Sequence, residues 1–537
     1  MRKKSGMAKL LYLSVALCLL FSVIISGCDA SDNSDKDAKA TNAPANSANP
    51  AATGPTPGGT VKFIMSSTAT NIGFPATDAA SFTLYYNRPA LESLGRYDGT
   101  GKMTPFLAES WQSDSKAKTI TFKIKQGIKF QDGTDFNAEA VKWNIEQYVA
   151  AKRPEVKGIQ SIQVIDASTV QLNLASWDIG LLDSIAYFVL MVSPAAVEKN
   201  GKDWAVSHPV GTGPFNFVSW EKDVSIKFKK NENYWQKGKP YLDAIEYSFI
   251  YDLNTAGNVF KSGGADVITQ MTAETTLELE KLGKSTMQNN AKIYGRIGLG
   301  LMFDSGNPNS PLKELKVRQA VMHAVDTKAI IKSVLRGLAE ETNQYYDSTA
   351  QFYNPDVKGY PYDPEKAKQL LAEAGYANGF KTKITTIPSY ENLVTAVQSY
   401  LAKVGIDVQV VTMDVSKLIA LTAGTWDGMT VYIRTLQPNA PTLIYRNFGQ
   451  DAAYFSKNII HPESLNKLLK DAIDAPDAEA SRKAVLDMQK VLHDDHAMYF
   501  PMASPISSIF MNPKVQNLGM FKTNGYDWAP EDVWVQK

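Results

Sequence analysis

Apolar residues fall at alternate positions in "GGTVKFIM", which predicts a strand with Val61, Phe63 and Met65 on one face. The same period recurs in "KTITFKIKQGIKF", with Ile120, Phe122 and Ile124 on one face, charges on the other, and a turn at Asp132-Gly133. The pattern then changes to a helical one. In "AEAVKWNIEQYVA" the apolar positions are Val141, Ile145, Tyr148 and Val149, and in "VRQAVMHAVDTKAII" they are Val317, Ala320, Val321, Ala324 and Val325. "DPEKAKQLLAEAG" is bounded at both ends: Asp363 as N-cap, Pro364 at the first position, Gly375 as the stop.

"LVTAVQSYLAKVG" predicts a helix through Leu393, Val397, Tyr400, Leu401 and Val404, stopped by Gly405, after which Ile406, Val408 and Val410 resume as a strand. Helix, glycine and strand in that order form an α/β unit. "EASRKAVLDMQKVL" adds a helix with the stripe Ala484, Val485, Met488, Val491 and Leu492, leading into the apolar "AMYFPM". The expected fold class is α/β throughout, with no internal repeat and no second transmembrane segment.

Composition narrows the function. The 537 residues are 44% hydrophobic, enough for a large core. Formal net charge is +1, but Arg2, Lys3, Lys4 and Lys9 lie in an acid-free start, and beyond residue 28 the balance is 52 basic against 55 acidic residues. No clustered basic face suits nucleic acid. The two cysteines are Cys18 and Cys28, so the body after residue 28 holds no disulfide, no thiolate metal site and no cysteine nucleophile.

Residues 10–25 form a 16-residue apolar run behind the basic start. That is shorter than the ~20 residues of a spanning helix and reads as a secretory signal. It ends in Ile25-Ser26-Gly27-Cys28, which resembles the bacterial lipoprotein box, and the resemblance implies cleavage before Cys28 and diacylglycerol on its sulfur. Acyl chains add roughly 0.8 kcal/mol per buried methylene, so the expected location is the outer face of the cytoplasmic membrane, reached by secretion. Residues 29–59 contain no branched aliphatic, Met or aromatic residue and are expected to form a disordered tether spanning about 30 Å.

Catalytic signatures are absent. There is no G-x-S-x-G, no G-x-x-x-x-G-K-[ST] and no H-E-x-x-H, and Gly298-Leu299-Gly300 and Gly211-Thr212-Gly213 lack a third glycine. His493 and His496, three apart, have metal-like spacing but read as a solvated helix end. The expectation is a non-enzyme without cofactor or metal.

Several segments together resemble the oligopeptide, dipeptide and nickel group of solute-binding proteins that serve ABC importers (family 5). They are "PFLAESWQSDSKAKTITFKIKQGIKFQDGTDFNAEAVKW" at 105–143, "VGTGPFNFVSW" at 210–220, "NENYWQKGKPYLDAIEY" at 231–247, "SGGADVI" at 262–268, "LKVRQAVMHAVD" at 315–326 and "YDPEKAKQLLAEAGY" at 362–376. Most of these residues read as scaffold: Gly211 and Gly213 for a tight turn, Trp111 and Trp235 in the core, Arg318 paired with an acid.

The resemblance implies a two-lobed periplasmic-binding-protein (type II) fold with a subdomain inserted in the first lobe. The expected layout is signal peptide 1–27, lipidated Cys28 and tether to 59, lobe I over 60–298 with an insert at about 85–190, lobe II over 299–503, and a return to lobe I over 504–537. Crossing strands are expected near 295–303 and 501–507. It also implies a monomeric receptor, held to the membrane by its lipid anchor, that delivers a small solute to ABC permease subunits. A tethered sensor for a signalling partner and an ordinary oligopeptide receptor are the alternatives.

One stretch departs from the pattern. Peptide-binding members share a W-x-x-D-x-x-D-P segment whose first Asp pairs with the peptide amino terminus. Here "WDGMTVYIRTLQPNAPTL" at 426–443 puts Ile433 at the Trp position, Leu436 at the first Asp and Asn439 at the second. Leu436 cannot neutralise a buried ammonium, and leaving one unpaired costs several kcal/mol. Arg434 adds like charge, and the loop Ile387-Pro388-Ser389-Tyr390-Glu391 lacks the arginine that clamps a dipeptide carboxylate. An ordinary zwitterionic dipeptide is therefore expected to bind poorly. Oligosaccharides, sugar-phosphate or opine-like conjugates and blocked peptides remain, with Tyr390 and Tyr432 placed to stack on sugar rings and Arg434 to hold an anionic group. No histidine falls in these stretches, which disfavours a nickel chelate.

Overall fold

The computed structural model describes residues 54–77, 84–98, 102–283, 286–289, 298–434, 440–452, 454–506, 508–519 and 528–537. The predicted signal, Cys28 and most of the tether lie outside them, as do Leu436 and Asn439.

Two sheets organise the described body, which forms one compact unit from Gly54 to Lys537. In the first, strand Thr60–Met65 is central, parallel to Ala244–Phe249 on one side and to Val267–Ile268 on the other. Its alternation is incomplete: Val61, Phe63 and Met65 enter the main core of this lobe, while Ile64 is buried in a smaller cluster with Phe260, Ile268 and Phe510. A parallel strand covered on both faces has no solvent side to keep polar.

The second sheet runs Ala339–Glu341, Tyr499–Pro505, Gly298–Phe303, Met429–Arg434, Phe380–Thr386, Ile406–Thr412. Gly300 serves close approach in this sheet, since a Cβ there would lie 2.2 Å from the Phe500 carbonyl oxygen. The chain passes between the sheets twice. Thr286–Asn289 belongs to the first sheet and Gly298–Phe303 to the second, and Tyr499–Pro505 returns to the first as Ser508–Met511. The fold is thus two-lobed α/β.

A separate antiparallel sheet, Ala108–Asp114, Thr119–Ile124, Thr169–Leu174 and Ile159–Asp166, is inserted in lobe I and packs on helix Ala138–Ala150. Ile120, Phe122 and Ile124 are fully buried, as their period requires, and Gly133 turns at φ +86°. Val149, expected on the buried stripe of that helix, is exposed.

Several local expectations change. Thr56, Gly58 and Gly59, assigned by composition to the tether, are tied to lobe I: Thr56 donates to the Val535 carbonyl at 2.9 Å and the Gly58 amide to Tyr241 at 2.7 Å. The run "VRQAVMHAVDTKAII" splits into helices Leu315–His323 and Thr327–Ser333, because Asp326 caps the second by accepting from the Ala329 amide. Arg318 pairs with carbonyl oxygens of Leu312, Lys313, His496 and Ala497 rather than with an acid. Gly211 and Gly213 lie where the chain bends, and they also serve close contact: a Cβ on either would lie within 2.7 Å of the Ala90 carbonyl oxygen.

Candidate functional site

The lobe II wall is built on strand Met429–Arg434, where residues two apart share a face. Tyr432 and Arg434 both point into a cluster of tyrosines. The Tyr432 and Tyr345 hydroxyls are 2.6 Å apart, their rings stack at 6.1 Å, and Tyr499 meets Tyr432 edge-on at 5.2 Å. The Arg434 guanidinium lies 4.8 Å from the Tyr346 ring centre and 5.5 Å from that of Tyr345. Asp347 sits 3.7 Å from it, and both side chains are buried. Burial pushes the Tyr345 phenol up to about 12 and those of Tyr346, Tyr432 and Tyr499 well above their usual range. The cluster is one guanidinium, one carboxylate and neutral phenols.

Two sequence-predicted residues, Tyr432 and Arg434, therefore come together. Tyr390 does not join them, because it ends the turn Pro388–Tyr390 and packs against the main lobe II core. The negative partner that sequence reasoning left to a ligand of Arg434 is supplied by Asp347. Asp347, Tyr345 and Tyr346 were missed. Their only signal is "QYYDS", three successive large or charged residues in a segment without helix or strand period.

Lobe I presents helix Leu181–Phe188 and strand Gly95–Tyr97. Tyr97 and Tyr187 lie 4.8 Å apart, and Arg88 covers Tyr187 at 4.9 Å. The Tyr97 hydroxyl donates to Asp183 Oδ2 at 3.1 Å. Burial raises the Asp183 carboxyl to about 6, against the opposing effect of that hydrogen bond. Tyr97 packs on the lobe I core and on a lobe II hydrophobic cluster that includes those tyrosines, which places it at the boundary between lobes.

The lobes also meet through main-chain groups. Trp177 Nε1 donates to the Ala475 carbonyl at 2.9 Å and the Ile179 amide to Ile473 at 3.0 Å. The Ile473 carbonyl is one that helix Glu463–Ile473 itself leaves open, and Ala475 lies just beyond its end. Elsewhere, Arg336 of lobe II pairs with Glu274 of lobe I at 2.7 Å.

Other motif residues are structural. Trp235 Nε1, the Tyr234 hydroxyl and Thr212 all donate to Glu92, buried beside Arg96. Burial raises the Glu92 carboxyl to about 7. His493 is not at a solvated end: it is buried against Tyr499, and desolvation lowers its imidazole to about 3. Among the described residues, no group of three His, Cys, Asp or Glu side chains is arranged to hold a metal, and no helix is long and apolar enough to cross a membrane. A surface groove of about 360 Å³ beside Trp143 and Glu198 is lined by lobe I alone and lies apart from the lobe boundary.

The model for bacterial extracellular solute-binding proteins, family 5, matches residues 102–455. The chain is 34% identical over 333 residues to the glutathione-binding protein GsiB of Escherichia coli O1:K1 / APEC; this covers 60% of the chain and 64% of that relative, just under two thirds of its length. It is 28% identical over 551 residues to heme-binding protein A of Haemophilus influenzae, covering 92% of the chain and 94% of the relative. Among solved structures, AgaA of A. tumefaciens R10 in complex with agropinic acid aligns at 26% identity and a TM-score of 0.73, covering 89% of this chain and 99% of that one. The chain belongs to the bacterial extracellular solute-binding proteins of family 5.

Proposed function

We propose that this protein is a non-enzymatic receptor that captures a small solute between its lobes and delivers it to the permease of an ABC importer. The supporting observation is the lobe boundary, where Tyr97 packs on clusters of both lobes and the chain passes between the two sheets twice. A solute touching both walls binds the closed arrangement better and shifts the population toward it, which gives a permease something to read. Family membership points the same way.

The solute is not an ordinary free dipeptide. The 426–443 stretch replaces the expected ammonium-pairing acid with Leu436, and Arg434 is already matched by Asp347. Opine-like conjugates, blocked peptides and oligosaccharides fit better. Relatives named for glutathione and heme, and a neighbour holding agropinic acid, indicate that the framework accepts chemically unlike solutes. Cys28 carries the lipid that holds the receptor to the outer face of the membrane, with the following segment as its leash.

Isothermal titration with a dipeptide library tests the ligand reading. The expected result is no binding at micromolar concentration, and tight binding of unmodified dipeptides would overturn it. Replacing Cys28 with Ser should release the protein from membranes into the soluble fraction.

A further inference from the structure

Buried carboxylates in this protein are normally well supplied with donors. Glu92 has Thr212, Tyr234 and Trp235, with Arg96 nearby. Asp304 has Ser310, Asn307 and the Gly428 amide, and Asp347 has Arg434 and Thr349. Asp183, half-buried, has among the described residues one side-chain donor, the Tyr97 hydroxyl, and no paired cation. It stands on a helix that is apolar apart from Asp183 and Ser184. Asp183 is in the first turn of that helix, and with one oxygen engaged by Tyr97 it keeps capacity to pair with an arriving cation.

Its position says what arrives. Tyr97, which holds Asp183, touches the cores of both lobes, so the pair lies where a captured solute would be enclosed. The rings of Tyr97 and Tyr187 beside the carboxylate supply faces that favour a cation. Among the described residues of the lobe II cluster, the one carboxylate, Asp347, is already matched by Arg434. We propose that Asp183, oriented by Tyr97, is the lobe I acceptor for a cationic group of the solute, a protonated amine or a guanidinium. This rests on the receptor reading and narrows it: among the candidate ligands, conjugates and blocked peptides bearing a cationic side chain are favoured over neutral oligosaccharides.

A matched pair of probes isolates the charge. N-acetyl-arginine amide and N-acetyl-citrulline amide have nearly the same shape and differ in one charge. Titrated into the full-length protein, the arginine compound should bind about tenfold more tightly. Asp183→Asn should bring the two affinities within about twofold. Tyr97→Phe should keep the preference while weakening both.

Equal affinities for the wild type would overturn the proposal, and that arm needs no variant to fold. An unchanged preference in a folded Asp183→Asn protein would overturn it too, as would failure of both probes to bind. Native mass spectrometry of the same preparation separates the two failures: a co-purified neutral solute refutes the cationic acceptor and leaves the receptor intact.

Discussion

The two sides of the lobe boundary handle charge differently. In lobe II the charges face each other: Arg434 lies against Asp347 and two tyrosine rings, and the Tyr432 and Tyr345 hydroxyls pair, although the buried Tyr346 hydroxyl has no hydrogen-bond partner among the described residues. Lobe I leaves Asp183 with a single hydroxyl donor. A matched buried pair rigidifies and costs little further reorganisation when a solute binds, whereas an under-matched group gains most from a partner. On the proposed reading, lobe II shapes the solute site and lobe I discriminates by charge.

Breaking the lobe II match should have the largest effect. Arg434→Met leaves Asp347 buried without its cation and should destabilise the protein by about 3–5 kcal/mol, read as a lower urea midpoint. Adding Asp347→Asn should recover part of that loss.

The next effect is pH-dependent and also belongs to lobe II. His493 is held neutral in the folded protein, with its imidazole lowered to about 3, whereas the unfolded chain takes a proton near pH 6.5. Below that pH the unfolded state binds more protons, so stability falls with acid, by about 3 kcal/mol between pH 7 and pH 4. Wild type should lose more stability over that range than His493→Gln. Glu92 in lobe I has the opposite sign: its carboxyl is raised to about 7, so its contribution is full below pH 4.5 and is lost as pH rises through 7.

A smaller effect sharpens the contrast between the walls. Asp183→Asn should stabilise the ligand-free protein by about 2 kcal/mol at pH 7 while weakening a cationic solute, a trade of stability against function. The same replacement at Asp347 should destabilise. Tyr432→Phe, which removes one hydroxyl of the matched cluster, should cost about 1 kcal/mol.

The sequence reveals what local period controls. Asp363, Pro364 and Gly375 bound their helix as read: Asp363 accepts from the Lys366 amide and Gly375 adopts φ +86°. Gly405 likewise ends Glu391–Ala402 before strand Ile406–Thr412. What period misses are contacts between distant segments. Nothing near Thr56 announces Val535, nothing near Arg434 announces Asp347, and nothing near Trp177 announces Ala475. His493 was misread because a polar run "HDDH" hides one residue turned inward, where the chain passes through the π-helical turn Val491–Asp495. That Tyr432 and Arg434 share one cluster follows from their spacing on a strand, whereas the only local mark of Asp183 is one acid in a mostly apolar helix.

Native mass spectrometry of freshly purified protein addresses the capture of a solute most directly. A single small-molecule adduct should be present, should leave intact on denaturation and should rebind to the refolded protein. An empty protein that instead converts an added solute to a product would contradict the account.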